Sequence, residues 1–292
     1  MPAPTSQIPG VYRRRIGDIT VTALSDGYLD GDLSVLQGIN PAVGAAEMAA
    51  VFQPVRRTSV NSFVIHAGSR TALVDTGSGS YLGPTAGWLR RNLEAADVEP
   101  SEIDTILLTH MHPDHSAGLS DRNTGERLFP NAELVMHENE PVHWANDAAM
   151  NQASEREKLL YFQAGREQIA PYRSAMRLFE SGDVFPGVTA LPAQGHTPGH
   201  TAYLIASGDH SLLIWGDIVH VPDIQVAHPE VTIAFDTDPE GAAASRHQLF
   251  DMAASDRLLV TGMHLHFPGF SHLVRDHGGY RLLPESWDQA FK

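Results

Sequence analysis

Four potential metal ligands are concentrated in one short segment of the sequence, THMHPDH. His110 and His112 are two residues apart, so on an extended chain their side chains point the same way and can bind one ion. Pro113 fixes a turn, after which Asp114 and His115 face a neighbouring position. Zn²⁺ and similar metals favour imidazole and carboxylate ligands. The segment therefore predicts a metal site; the alternative is a histidine-rich solvated turn.

Three further candidate ligands each close or follow an apolar run. They are His196 in GHTPGH, Asp217 in WGD and His264 in GMH. Taken singly, His196 could be a turn residue, Asp217 a helix or turn cap, and His264 a core histidine. Because all three accompany the first cluster, the sequence favours one site assembled from several strand ends.

The elements that must position these residues fall into two halves. In the first half, three segments predict strands: DITVTALSDG, SVNSFVIHAG and RTALVDTGSG. Leu82 and, in the segment GPTAGWLRRNLEAADV that follows it, Trp88, Leu89 and Leu93 have the spacing of a helix. The next segment, EIDTILLTH, predicts a buried strand that ends at the histidine cluster. A second half begins near Asp183, with strands in GVTALPAQG, TAYLIASG, SLLIWGD and RLLVTGMH and a helix in PEGAAASRHQLFDMAAS. Two such halves predict a sandwich of two sheets with outer helices.

The chain is expected to form a single domain over residues 1–292, with a helical, lid-like insertion at about 138–178. The net charge of −15 argues against a nucleic-acid partner, because phosphate binding needs clustered Lys and Arg. The absence of cysteine excludes thiolate ligands and cysteine nucleophiles. No apolar run is long enough to predict a membrane span. The first residues, MPAPTSQIPGVYRRR, lack the apolar run of a signal peptide. We therefore expect a cytoplasmic protein, or a periplasmic one if a leader was removed.

The chain resembles the metallo-β-lactamase superfamily in the order of its ligand motifs, which are THMHPDH, GHTPGH, GD and MH. The resemblance spans roughly residues 17–285. The resemblance implies an α/β fold of the αββα type, with two mixed β-sheets flanked by helices. It also implies one ion on His110, His112 and His196, and a second on Asp114, His115 and His264. Asp217 would bridge the two ions, and Asp75 in LVDTG would support the site through hydrogen bonds.

Such a centre holds two divalent ions, for which Zn²⁺ is the first expectation and Mn²⁺, Co²⁺ or Fe²⁺ are alternatives. Two ions about 3.5–4 Å apart can share a hydroxide that acts as the nucleophile. Asp114 or Asp217 could orient it or carry its proton to the leaving group. The sequence therefore predicts a metal-dependent hydrolase.

Further phrases, FPNAELV, GHTPGHTAYLI, GDIVHVPDIQ, HLHFPGFSH and GGYRLLP, resemble the branch of methyl parathion hydrolase and its lactonase and arylesterase relatives. Other branches fit less well. Flavo-diiron proteins have a Glu at the position of His112. Class B1 β-lactamases place a Cys near the bridging position, where this chain has Asp217. The basic glutathione site of glyoxalase II has no counterpart in the C-terminal part of this sequence. The acidic charge weighs against ribonuclease Z.

The branch implies a small, uncharged lactone, aryl ester or phosphotriester as substrate, with phosphotriesterase activity as a side reaction. His220 stands where related acyl-homoserine lactonases carry a Tyr that holds the substrate oxygen, and we predict the same catalytic role for it. Six residues are predicted to line the substrate pocket, with core packing as the alternative: Leu82, Trp144, Phe162, His220, Ile233 and Phe235. A homodimer is expected. A dedicated organophosphate triesterase and a non-catalytic sensor with structural metals are the alternative functions.

Overall fold

The computed structural model of the protein describes residues 3–289. Within that range the strands are β1 (Val11–Ile16), β2 (Ile19–Gly31), β3 (Leu36–Gln37), β4 (Arg56–Ala67), β5 (Arg70–Val74), β6 (Thr105–Leu107), β7 (Glu133–His137), β8 (Met176–Phe179), β9 (Gly182–Phe185), β10 (Val188–Pro192), β11 (Thr201–Ser207), β12 (His210–Ile214), β13 (Thr232–Ile233), β14 (Leu259–Thr261), β15 (Ser271–Asp276) and β16 (Gly279–Pro284). The α-helices in the same range are α1 (Pro41–Ala50), α2 (Leu89–Ala95), α3 (Pro113–Ser116), α4 (Asn139–Trp144), α5 (Asp147–Gln152), α6 (Glu155–Glu157), α7 (Ala164–Ile169), α8 (Pro222–Gln225) and α9 (Pro239–Ser255).

Most strands belong to two seven-stranded sheets. The first has the order β1-β2-β4-β5-β6-β7-β8, and the second has the order β16-β15-β14-β12-β11-β10-β9. Both sheets are mixed, since β5, β6, β7 and β8 pair in parallel in the first and β12 pairs in parallel with β14 in the second. A short antiparallel pair, β3 with β13, lies apart from them.

The alternation of side chains along β4 shows how the layers are packed. Phe63 and Ile65 point into an apolar core shared with Tyr203 and Ile214 of the second sheet. Val64 points the other way, into a core covered by helices. Successive strand residues face opposite sides of a sheet, so one strand contributes to two layers. On the outer face of the second sheet a separate core contains residues of α9. The predicted αββα sandwich of two mixed sheets flanked by helices is confirmed.

The helix α9 begins and ends as its sequence predicts. The side chain of Asp238 accepts a hydrogen bond from the backbone N–H of Gly241, and Pro239 occupies the first turn, where its missing N–H costs nothing. By contrast, the helix predicted to include Leu82 and Trp88 begins only at Leu89.

The late start of α2 follows from a buried carboxylate. Asp26 accepts backbone N–H bonds from Ser78, Gly87 and Leu89, at 2.8, 3.0 and 2.9 Å, and so holds the preceding residues in a loop. Gly87 in that loop has a φ of +86°, which a helix cannot accommodate.

The segment predicted as a helical, lid-like insertion, at about 138–178, is largely helical. It contains α4 to α7, with a π-helical turn at Lys158–Gln163, and it closes with a 3₁₀ turn at Ala170–Ala175. The next residues, from Met176, pair with β7 as strand β8. No helix within residues 3–289 is both long and apolar enough to cross a membrane.

Candidate metal centre

The histidine cluster lies where the chain leaves β6. His110, His112 and His115 are buried, and the short helix α3 begins at Pro113 directly after His112. The turn reverses the chain, so that Asp114 and His115 follow on α3. The side chain of Asp114 keeps 16% of its surface exposed and is the most accessible of the candidate ligands.

The other three candidates come from the second sheet. His196 lies in the loop between β10 and β11, Asp217 lies in a turn after β12, and His264 follows β14. All three are buried. Each of these loops leaves its sheet at the same end of the sandwich, so the structure brings all seven sequence-predicted ligands together.

Within residues 3–289, four overlapping groups of three ligand atoms converge here, two of which include Asp217, and the other two match the predicted ligand sets. The ligand atoms of His110, His112 and His196 lie within 4.8 Å of one another, and so do those of Asp114, His115 and His264. We refer to these triplets as the first and the second ligand set.

The carboxylate of Asp217 lies between the two sets. Its Oδ2 atom is 2.9 Å from Nε2 of His264 and 3.2 Å from Nε2 of His115. The same oxygen is 3.5 Å from Nε2 of His196 and 3.7 Å from Nε2 of His110. This is the position that a bridging ligand would occupy.

The residues present fit a pair of cations. Buried polar atoms normally have hydrogen-bond partners, yet Nε2 of His110, His112 and His115 and Oδ1 of Asp217 have none in the described chain. Burial lowers the pKa of His110, His112 and His196 well below the usual value, which favours the neutral imidazole that metal binding requires. Converging imidazole and carboxylate groups without sulfur suit Zn²⁺ and similar divalent ions.

The second set carries more negative charge. Burial opposes a charge on His115, but the carboxylates of Asp217, Asp114 and Asp75 raise the pKa of His115 well above its usual value. Burial would likewise raise the pKa of Asp114, but His115 and His264 hold it well below its usual range. The cluster thus favours the ionised form of Asp114, and a divalent cation would supply positive charge here in place of the protons.

Residues behind the ligands fix the orientation of their rings. Oδ2 of Asp75 is 2.6 Å from Nδ1 of His115, and the same carboxylate accepts the N–H and the O–H of Thr109. Nδ1 of His264 lies 2.7 Å from the carbonyl oxygen of Ser59. The structure therefore places Asp75 where the sequence analysis expected a supporting residue.

Asp236 and His200 also support the candidate ligands, and neither role was predicted from the sequence. Asp236 lies beside His196, with Oδ1 of the carboxylate 2.8 Å from Nδ1 of the ring, and no motif identifies it. His200 accepts the backbone N–H of Asp217 at Nε2, 2.8 Å away, while its Nδ1 lies 2.9 Å from the carbonyl oxygen of Ala193. The GHTPGH motif contains His200 and could have indicated it.

The centre forms the floor of a cleft of about 510 Å³. Of the six predicted pocket residues, Leu82, His220 and Phe235 line it. Trp144 and Phe162 do not: both belong to the core between the first sheet and its helices. Ile233 is also wrong as a pocket residue, since β13 turns it into a small core beside α1 and α8.

Other cleft residues were not predicted. Tyr161, on the π-helical turn of the insertion, lies with its ring centroid 4.6 Å from that of His112. Two arginines, Arg56 and Arg156, also line the cleft. The walls are therefore less uniformly apolar than the sequence analysis expected.

His220 lies beside the carboxylate of Asp217. Its Nε2 atom is 3.1 Å from Oδ2 of Asp217, and its ring stacks on that of His264 with centroids 5.2 Å apart. Its backbone N–H donates to the side chain of Gln225, which fixes the start of α8 against the site. The ring is thus held between the ligands and the cleft.

Comparison with known proteins agrees with this geometry. The family model of the metallo-beta-lactamase superfamily matches residues 55–282. The crystal structure of AbOPH, a hydrolase in the beta-lactamase superfamily, superposes with a TM-score of 0.91 at 30% identity, covering 97% of this chain and 100% of that one.

Two lactonases are also similar. The structure of AidC, a dizinc quorum-quenching lactonase in complex with a product, has a TM-score of 0.89 at 25% identity and covers 96% of this chain and 99% of AidC. The N-acyl homoserine lactonase of Bacillus thuringiensis is 24% identical over 194 residues, which are 66% of this chain and 65% of that lactonase. The resemblance seen in the motifs is confirmed at the level of the superfamily: this chain belongs to the metallo-β-lactamase superfamily.

Proposed function

We propose that this protein is a dinuclear metal-dependent hydrolase of lactones and aryl esters, with phosphotriesterase activity as a side reaction. The observation that carries the proposal is the carboxylate of Asp217 between two three-residue ligand sets, on the floor of an open cleft. The similarity to lactonases, one of them described as dizinc, supports a lactone as the substrate.

The first ligand set would hold one ion and the second set the other, with Asp217 shared. Two bound divalent ions supply Lewis acidity, which lowers the pKa of water towards neutrality and polarises a carbonyl or phosphoryl oxygen. Zn²⁺ is our first choice because the donors are imidazole nitrogens and carboxylate oxygens.

The protein's own groups supply the remaining chemistry. His220 is placed to donate a hydrogen bond to the substrate oxygen that becomes negatively charged. Asp114 faces the cleft and keeps part of its side chain exposed, so its carboxylate is placed to pass a proton from the nucleophile to the leaving group. Leu82, Phe235 and Tyr161 offer apolar surface for the acyl or aryl part of the substrate.

A dedicated organophosphate triesterase is the second candidate, because the motifs also resemble methyl parathion hydrolase. A panel of γ- and δ-lactones, aryl esters, paraoxon and a β-lactam, tested on the zinc-loaded protein, separates the candidates. We expect kcat/KM to be highest for an aromatic lactone or an aryl ester. A higher value for paraoxon would favour the triesterase, and turnover of the β-lactam alone would contradict both.

A non-catalytic sensor would hold the same metals only for structure. The variant Asp217→Ala distinguishes this possibility, because loss of hydrolysis in a variant that remains folded shows that the centre is catalytic. Circular dichroism reports folding, and the panel reports activity. A lack of hydrolysis in the zinc-loaded wild-type protein on every substrate would favour the sensor.

We also propose that residues 1–292 form one domain that assembles as a homodimer. Exposed apolar side chains cluster after α1, where Phe52 is 90% exposed and Val51 and Val55 are about half exposed. Exposed apolar patches mark interaction sites in many proteins, so we place the dimer contact at these residues. Light scattering after size exclusion would show twice the chain mass for the wild type and a smaller mass for Phe52→Ser.

A further inference from the structure

A fully buried carboxylate outside the seven ligands joins the two loops that carry the first ligand set. Glu140 lies on α4, in the helical insertion, and its side chain is inaccessible to solvent. Oε2 accepts the backbone N–H of Met111 and the indole N–H of Trp144, both at 2.8 Å. Oε1 accepts the backbone N–H of Gly199 at 2.9 Å and the hydroxyl of Thr197. Both oxygens are therefore saturated by donors.

The donors to Glu140 are adjacent to metal ligands. Met111 lies between His110 and His112, and Thr197 directly follows His196. All three members of the first ligand set thus come from loops that hydrogen-bond to a single carboxylate. Asp114 and His115 of the second set follow Met111 in the same segment, but neither they nor His264 are next to a donor to Glu140, and Asp75 holds the ring of His115 instead.

The contacts require an acceptor with two oxygens. All four partners are donors, so an amide in place of the carboxylate would turn an NH₂ group towards N–H or O–H groups. The packing is also close, since a side chain at Gly199 would come within 2.8 Å of Cγ of Glu140. Charged acceptors form stronger hydrogen bonds than neutral ones, which suits a buried group that fixes two loops.

We propose that Glu140 is a positioning residue that sets the metal affinity of the first ligand set, through Met111 and the Thr197–Gly199 loop, and has little effect on the second. The helical insertion then has a role in metal binding as well as in forming the cleft wall. This inference rests on the dinuclear function proposed above.

The test is zinc release from the loaded protein, measured as zinc per chain by mass spectrometry after dialysis against a graded series of buffered free zinc. For the wild type we expect zinc to be lost in two steps as free zinc is lowered, one step for each ligand set. His112→Ala identifies the step of the first set, and His264→Ala identifies the step of the second. Glu140→Gln should move only the first step, to free zinc concentrations about 10- to 100-fold higher.

The matched control is Glu138→Gln, which makes the same change two residues away on an exposed side chain and should leave both steps unchanged. Asp75→Asn should move the second step. If Glu140→Gln leaves both steps in place, or moves both equally, the positioning role is wrong, even if the variant melts at a lower temperature.

If Glu140→Gln does not fold, Thr197→Val and Trp144→Phe each remove one donor and keep the carboxylate. Each should shift the first step in the same direction by a few-fold, and unchanged steps in both variants would contradict the proposal. A wild-type protein that binds fewer than two zinc ions would instead overturn the dinuclear function itself.

Discussion

The imidazole of His196 is held from behind by Asp236, with Nδ1 and Oδ1 2.8 Å apart, while Nε2 of the same ring faces Asp217. The other oxygen of Asp236 accepts the backbone N–H of Ile233, so the carboxylate is itself fixed. A carboxylate behind a histidine ligand selects the tautomer and makes the ring a better donor to metal.

We expect Asp236→Asn to weaken zinc binding at the first ligand set by roughly 10- to 100-fold, because outer hydrogen bonds of this kind contribute that much in other metal sites. Competition with a chromophoric chelator measures the effect. Asp256→Asn, on the exposed end of α9, is the control and should bind zinc like the wild type. An unchanged zinc affinity in Asp236→Asn would contradict the role assigned to this carboxylate.

Replacing His220 by Ala should lower kcat on lactones and aryl esters by about 10²-fold, the usual loss when one donor to a developing oxyanion is removed. KM should change much less, since the donor acts mainly in the transition state. Steady-state kinetics at matched zinc content gives both values. An equal rise in KM with kcat unchanged would mean that His220 only binds the substrate.

Phe235 and Ile233 contact the same small core, but only Phe235 also faces the cleft, so we expect truncation to affect substrate binding more at Phe235 and stability more at Ile233. Phe235→Ala should raise KM for aromatic substrates on the order of 10-fold, because cleft surface worth about 1–2 kcal/mol is lost. Ile233→Ala should instead lower the free energy of unfolding by about 2–5 kcal/mol, as buried aliphatic truncations do. Kinetics and urea unfolding of both variants check the assignment, and an exchange of the two effects would refute it.

The pH dependence of stability should include a contribution from Glu133. The guanidinium of Arg177, 2.9 Å away, lowers the pKa of Glu133 below its usual value of 4.5. A carboxyl whose pKa is lower in the folded state stabilises the protein above the unfolded pKa, and this contribution is lost as the pH falls through the folded value.

Glu133→Gln should therefore be less stable than the wild type at pH 7, and the difference should shrink below about pH 4.5. The side chains are 33% and 41% exposed, so solvent screening limits the effect to about 0.2–1 kcal/mol. Urea unfolding between pH 3.5 and 7 measures it, with the exposed Glu126→Gln as control. A difference that grows towards low pH would contradict the assignment.

The seven candidate ligands were predictable because they follow apolar strands in short motifs, and strand ends on one side of a sandwich meet. Asp236 and Glu140 were not, since their partners His196 and Thr197 lie 40 and 57 residues away and no local pattern joins them. Trp144, Phe162 and Ile233 were misplaced for a related reason. Apolar residues near a site look alike in sequence, and only the packing decides which of them face the cleft.

The seven candidate ligands are divided between the sheets: residues 110–115 follow β6 of the first, and His196, Asp217 and His264 follow strands of the second. Ions bound there would join the two halves of the chain as removable cross-links. A ligand that binds only the folded state at about 1,000 times its Kd adds about 4 kcal/mol to the free energy of unfolding. The zinc supply of the cell would then govern both how much enzyme is active and how long each molecule survives proteolysis.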